Sequence, residues 1–503
     1  QLDHGWTPMG GHPLARRRWL PMATKSRQRA PWEQVWLVVA TLGQHGMAAP
    51  RAEDELGALM AGDCGFGTSE RPGSVRTVDF DRLGGFRLPG GLHCPLVISA
   101  LEGMRSWEEV ARWGDLRQLH RHTPATVSFD ASPTESFAYW DNNSVLAAAV
   151  RDVGLAKQGF DKVTAPRKDF FAALRKGKRS ELGAVRYGGD LASFSGEVAQ
   201  SVGRPLPELS PEGAMKPLLW LSSAGTASTA HYDLWQNTFV MLHGKKRVLL
   251  SPPSDAHLYR VYPGAHPRAR QAQVDFVASE RDGGRRSLEH PAPVRLLKAT
   301  IRSGQALFIP SGWFHHISAS TVSVSLSLQA HPRELDDYNT WVQSGHQAVL
   351  PFISTNGPWR GDRLAGALTL FIPRLLEALR SHAPADAPDT LHVLANLSYS
   401  QQARGEMGLP AKSEAYPSCG ALSKSDKRAV LATVPQVANR FQSYDKDLLG
   451  MFIPPYLETA ISFVAGHQSS VIQTMALTIS FVDTCLRPSK APARSRGTER
   501  QDL

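Results

Sequence analysis

Between residues 218 and 330, short apolar runs follow one another at intervals set by glycine and proline. One of them alternates strictly, Val322, Val324, Leu326 and Leu328 against Ser323, Ser325, Ser327 and Gln329. Period-two alternation predicts a strand with one face in a core and one polar face. Around it, Leu218–Ser222 reads as a further strand. Phe239–Leu242 and Arg247–Leu250 read as a hairpin turning at Gly244, and Ala299–Arg302 with Ala306–Pro310 as a second one turning at Ser303-Gly304. Many short antiparallel strands joined by Gly/Pro turns imply a sandwich or jelly roll.

The texture differs on either side. Upstream, Pro95–Ser99 is a short apolar strand and Ser106–Leu116 a compact helix, with Ser106 as N-cap and Glu109 completing a capping box. Phe137–Asp141 reads as an aromatic strand and Lys168–Lys176 as a second helix. Beyond about residue 345, apolar residues recur at three and four, predicting amphipathic helices over Asp362–Ser381, Asp389–Gln402, Lys424–Phe441 and Asp445–Val464. Such faces must pack on something, either the sheet domain or a second subunit. The expected division is a basic, disordered leader or arm over 1–75, a sheet domain over 76–345, a helical region over 346–487 and a basic tail over 488–503.

The formal charge of +10 gathers largely at the ends, at Arg16, Arg17, Arg18, Lys25, Arg27 and Arg29 and again at Lys490, Arg494, Arg496 and Arg500. A charge excess in tails reads as a solvated or targeting segment before it reads as a nucleic-acid surface. No run approaches the ~18 apolar residues that a membrane span needs. The stretch Val35–Leu42 follows basic residues and reads either as part of a targeting segment or as a buried helix. Cys64, Cys94, Cys419 and Cys485 are widely spaced and form no CxxC pair. That spacing argues against a zinc ribbon or a disulfide framework and favours a reducing, intracellular compartment, cytoplasm or nucleus.

Chemistry concentrates at His231-Tyr232-Asp233 and Trp313-Phe314-His315-His316. Two residues apart on a strand, His231 and Asp233 point to one side. A second histidine from a later strand completes two imidazoles and one carboxylate on one face of a metal, with open positions suited to a non-haem Fe(II) oxygenase. Lys246, on the return side of the Gly244 turn, is placed to meet a cosubstrate carboxylate as a point charge. Ser228 offers a hydroxyl, Asn237 an amide, and the Ser323-Ser325-Ser327 stripe a polar wall. His243 reads as a turn residue, Lys245 as solvated, and His257, His266 and His290 as surface or packing residues.

The stretch Ser228–Arg247 together with Phe308–His316 resembles the JmjC or cupin-8 family of 2-oxoglutarate oxygenases. The segment Tyr262–Phe276 is similar to that of the asparaginyl hydroxylases acting on hypoxia-inducible factor. The likeness spans roughly residues 80–335 and is tightest at the metal motifs. It implies a mainly β fold, a double-stranded β-helix with flanking helices and a helical C-terminal region. It implies Fe(II), 2-oxoglutarate and O2 as cofactor and cosubstrates, and His231, Asp233 and His315 as iron ligands, His315 being preferred to His316. Lys246 would pair with the 2-oxoglutarate carboxylate, helped by Ser228, Asn237, Ser327 and an upstream tyrosine matched by Tyr187. Tyr139, Trp235, Arg270 and Gln271 fall at substrate-side positions, with Asp275 and Phe276 nearby. Ser327 stands where the asparaginyl hydroxylase has Asn, and Trp235 where it has a polar residue, so the cosubstrate pocket is expected to be kept and the substrate side to differ.

The expected function is a dioxygenase hydroxylating a protein or peptide side chain. The alternatives are a JmjC demethylase or transfer-RNA hydroxylase, the basic tails leaving a nucleic-acid partner open, and a non-catalytic cupin scaffold. A homodimer through the C-terminal helices is a further expectation of the resemblance.

Overall fold

The computed structural model describes residues 64–67, 72–80, 92–139, 159–190, 194–203, 206, 209, 217–264, 266–273, 295–344, 346–354, 359–382, 405, 419–465 and 480–486. The expected helix at 389–402, the segment 35–42, His290, Asp275, Phe276, Asp141 and the tail from 488 lie outside them.

Among the described residues, seven strands precede the barrel: β1 (Gly73–Ser74), β2 (Arg76–Asp79), β3 (Leu96–Ser99), β4 (Thr126–Ser132), β5 (Ser136–Phe137), β6 (Asp161–Pro166) and β7 (Ala184–Asp190). Eight follow in succession: β8 (Leu218–Ser222), β9 (Ala227–Tyr232), β10 (Gln236–His243), β11 (Lys245–Ser251), β12 (Leu297–Arg302), β13 (Gln305–Ile309), β14 (Phe314–Ala319) and β15 (Ser323–Ala330). They fall into two sheets, one ordered β1-β12-β11-β14-β9-β5 and the other β2-β3-β13-β10-β15-β8-β7-β4-β6. The last eight strands therefore divide equally between the sheets, which is the double-stranded β-helix expected.

The two expected hairpins are corners instead. β10 and β11 belong to different sheets, as do β12 and β13. Gly244 carries the chain from one sheet to the other at φ +80, and a Cβ there would lie 2.1 Å from the Val322 carbonyl oxygen. Sequence reads such a tight turn as a hairpin because both arms are strands; which sheet each arm joins is set by distant partners. Register shows this. β10 pairs with β13 and β15, whereas β11 pairs with β12 and β14.

Strand β15 is buried along its whole length. Its apolar face, Val324, Leu326 and Leu328, joins the main core, and its serine face looks into the barrel. The polar face of the strand is thus an interior one, with Ser327 lining the cleft and Ser325 bonded to Lys246. One part of the barrel is apolar, with Val248, Leu250, Leu297, Ala299 and Ile301 in that same core. The other part is polar and holds the site.

The expected Ser106–Leu116 helix is broken into Trp107–Ala111, a 3-10 turn at Arg112–Gly114, and a new helix Leu116–His122 capped by Asp115, whose carboxylate accepts from the Arg117 N–H at 2.8 Å. Ser106 makes no capping bond, because its backbone is already helical there.

The sheet domain reaches back past residue 76. Gly67 pairs with Leu296, β1 with β12, and Phe66 stacks on Trp313 at 5.8 Å. All four cysteines are paired, Cys64 with Cys94 and Cys419 with Cys485. This overturns the reading from spacing. Separations of 30 and 66 residues close because the fold brings the ends together. The argument for a reducing compartment loses its basis, since structural disulfides persist in oxidising surroundings.

Helices Arg333–Gln343, Gly361–Leu379, Lys424–Gln442 and Leu449–Ala465 form a second core that includes Tyr232 and Phe314, the neighbours of His231 and His315. Tyr338 donates to the Phe452 carbonyl at 2.7 Å, and Tyr456 to that of Val349 at 2.7 Å. The helices thus brace the backs of the strands that carry His231 and His315. A homodimer would have to use their outward faces, where Leu431 is 44% exposed. Among the described residues, no helix is long and apolar enough to cross a membrane.

Candidate metal centre

His231 lies near the end of β9, Asp233 just beyond it, and His315 directly opposite His231 on β14. The two imidazole centroids are 4.3 Å apart, and one ligand atom from each of the three residues lies within 4.8 Å of the others. His315 Nε2 is 3.7 Å from the Asp233 carboxylate. Each ring is oriented by its other nitrogen: His231 Nδ1 donates to the Thr229 carbonyl at 2.6 Å, and His315 Nδ1 to that of Trp313 at 3.0 Å. With Nδ1 protonated, the Nε2 lone pairs are left for a metal, the usual outer-shell device for metal-binding histidines. Burial, then the His315 imidazole, hold the His231 pKa down to about 4, so the ring is neutral at pH 7, as ligation requires. The three residues fit a metal with open positions. His316 points to the other side of β14, in register with Leu249, and does not line the cleft.

The triad opens into a cleft whose lining includes Ser228, Asn237, Lys246, Ser327 and Gln329. Lys246 is buried, donates to Ser325 Oγ at 3.1 Å and stands 4.8 Å from the Phe239 ring centroid. Burial, then the nearby Arg186 charge, pull its pKa down to about 7. Asn237 Oδ1 is buried and makes no hydrogen bond. Ser327 Oγ accepts from Trp220 Nε1 at 3.1 Å, leaving its own proton to donate. Lys245, by contrast, is only half-buried, and His243 is exposed, as expected of a turn. His266 takes the packing role, stacked on Tyr262 at 4.5 Å.

Tyr187 does not reach the cleft. Strand alternation turns it to the outer face of β7, into the main core beside Phe194 at 5.5 Å. Its neighbour Arg186 takes the inner face instead, and Trp220, opposite Gly188, forms the wall beside it. Neither residue was identified from the sequence. Alternation puts Arg186 and Tyr187 on opposite faces, and only the pairing of β7 with β8 fixes which of them is inside.

Of the residues expected on the substrate side, Tyr139 is 48% exposed. The Arg270 guanidinium lies 5.8 Å from both the Tyr139 and the Trp235 ring centroids. Arg270 holds a left-handed backbone at φ 69, and its carbonyl accepts from the Tyr232 N–H at 3.1 Å. Gln271 is buried, and its amide is committed. Oε1 accepts from Thr229 Oγ1 at 3.1 Å, and Nε2 donates to the Tyr139 carbonyl. Gln271 therefore ties the Tyr139 backbone to β9.

The family model of the cupin-like domain matches residues 92–341. Lysine-specific demethylase JMJ31 of Arabidopsis thaliana is 27% identical over 136 residues, 26% of this chain and 22% of that protein. The bifunctional peptidase and (3S)-lysyl hydroxylase JMJD7 of Homo sapiens is 26% identical over 123 residues, 22% of this chain and 39% of its own. The tRNA wybutosine-synthesizing protein 4 of Aspergillus oryzae is 33% identical over 105 residues, 21% of this chain and 9% of its own. The chain thus spans well under half the length of each of these relatives. Fold, triad and family match coincide in one segment, and through residues 92–341 the chain belongs to the cupin-like domain family of JmjC type (Cupin_8).

Proposed function

We propose that this protein is an Fe(II)- and 2-oxoglutarate-dependent dioxygenase that hydroxylates a protein side chain. The observation carrying this reading is the convergence of His231, Asp233 and His315 beside a cleft that also holds the buried cation Lys246. Iron bound there, with 2-oxoglutarate and O2, supplies the chemistry. One oxygen atom enters a substrate C–H bond, the other enters succinate, and carbon dioxide leaves. The chain's own residues bind and orient. His231 and His315 present Nε2, Asp233 adds a negative charge, and Lys246 with Ser228 and Ser327 receives the distal carboxylate. The apolar part of the barrel closes the cleft away from the mouth. Tyr139, Arg270 and Trp235 form a mouth suited to a peptide.

An asparaginyl target rests on the likeness of the Tyr262–Phe276 segment alone. Relatives named as a lysine demethylase and a lysyl hydroxylase make lysine an equal candidate, and one named for transfer-RNA synthesis keeps an RNA target as the rival. A cupin scaffold without chemistry has less support, since such a protein has no need of three converging ligands. The test is succinate formation by purified protein supplied with Fe(II), 2-oxoglutarate and O2, followed by a mass-spectrometric screen for peptides that gain one oxygen atom. Absence of both iron binding and 2-oxoglutarate turnover with every peptide pool would sink the reading.

A further inference from the structure

Among the described residues lining the cleft, Arg186 is the charged one that the proposed function leaves without a task. Its guanidinium lies 4.6 Å from the Phe137 ring centroid and 5.6 Å from that of Trp220. Nη2 pairs with Asp130 at 3.2 Å, Nη1 donates to Ser228 Oγ at 3.1 Å, and Nε makes no hydrogen bond. The side chain is 13% exposed.

A purely structural bridge between β4 and β7 accounts for part of this, since Asp130 and Arg186 are paired in register. It does not account for the bond to Ser228, which belongs to the other sheet, or for a cation held in the cleft with a donor unspent. A buried arginine keeps its charge, and its fork suits a carboxylate. Because Ser228 accepts from Arg186, its own proton is left to donate into the cleft.

We infer that Arg186 is a specificity-determining residue of the cosubstrate site, receiving the distal carboxylate of 2-oxoglutarate together with Lys246 and Ser228 and selecting dicarboxylic over monocarboxylic 2-oxo acids. This rests on the oxygenase reading. The balance of charge gives Arg186 the part of a donor fork beside Lys246 rather than of a second counter-charge. Asp130 offsets Arg186, and Asp233 offsets half the charge of a divalent metal. The metal's remaining charge and Lys246 then match the two carboxylates of 2-oxoglutarate. A monocarboxylate would leave Lys246 without a counter-charge and the donors of Arg186 and Ser228 without an acceptor, which is costly.

The test uses the full chain loaded with Mn(II), with N-oxalylglycine as an unreactive dicarboxylate probe and oxalate as a probe lacking the distal group, both followed by calorimetry. R186M is expected to weaken N-oxalylglycine roughly tenfold to hundredfold, the loss of one charge-assisted hydrogen bond. Mn(II) and oxalate affinities should stay within about twofold of the parent, and R186K should recover part of the loss. Unchanged N-oxalylglycine affinity in R186M, or a parallel loss of oxalate, overturns the inference and leaves Arg186 a structural bridge. Should R186M fail to fold by circular dichroism, R186Q carries the same comparison. A parent that binds Mn(II) but not N-oxalylglycine overturns the oxygenase reading itself, and the inference with it.

Discussion

Replacing Lys246 with Met should stabilise the protein free of metal and cosubstrate while impairing its site. The ammonium is buried, with Ser325 Oγ at 3.1 Å and the Phe239 ring at 4.8 Å. The charged groups of its surroundings are Arg186, backed by Asp130, and Asp233 at the triad. Burial and Arg186 take its pKa from 10.5 to about 7. That depression corresponds to a ceiling of about 5 kcal/mol of folding free energy stored against the charged amine. The bond to Ser325 would be lost with the amine, so we expect a net gain of about 1–3 kcal/mol. The sign follows from linkage. Below pH 7 the amine is charged in both the folded and unfolded states, and its burial cost is fully present. Between pH 7 and 10.5 only the unfolded chain holds the proton, and the cost is relieved as pH rises. Urea unfolding of parent and K246M at pH 6.5 and at pH 9.5 measures both terms. A stabilisation that is large at the lower pH and small at the higher one is expected, together with weaker 2-oxoglutarate binding. A variant less stable than the parent at pH 6.5, or a gain equal at both values, refutes the reasoning.

Asp233→Ala should abolish iron binding and turnover with little change in stability, because the bond from the Gly312 N–H goes to the Asp233 backbone carbonyl; metal titration and a thermal melt check this. Thiol titration of the denatured, unreduced protein should find none of the four cysteines free, and opening Cys64–Cys94 should cost about 3–4 kcal/mol by the loop-closure argument. Gly188→Ala places a Cβ 2.2 Å from the Trp220 ring, so the indole must move and its bond to Ser327 break. We expect a loss of about 1–3 kcal/mol in a denaturant melt and weaker cosubstrate binding with metal affinity intact.

Much of the site is written locally. His231 and Asp233 share a face because a strand alternates, and the Trp-Phe-His-His run places His315 beside them while turning His316 away. Lys246 against Lys245 is decided by the same alternation, once the buried face is known. Val322–Gln329 is legible as a strand and its serines as a polar wall, but not which strands flank it, because pairing with β8 and β10 is set by distant segments.

What the sequence by itself determined is therefore the inventory: strands where period two and turn residues agree, helices where period three to four runs on, and three ligands on a mainly β frame. Only the tertiary structure decided the partners. Gly244 and Gly304 look like hairpin turns, and become corners because β11 pairs with β12 and β14 in the opposite sheet. Arg186 rather than Tyr187 faces the cleft because β7 is held in one register on β8. Four cysteines that look solitary along the chain close into two bridges. Local signals depend on neighbours a few residues away, whereas sheet membership, register and disulfide pairing depend on contacts between distant segments that exist only once the chain has folded.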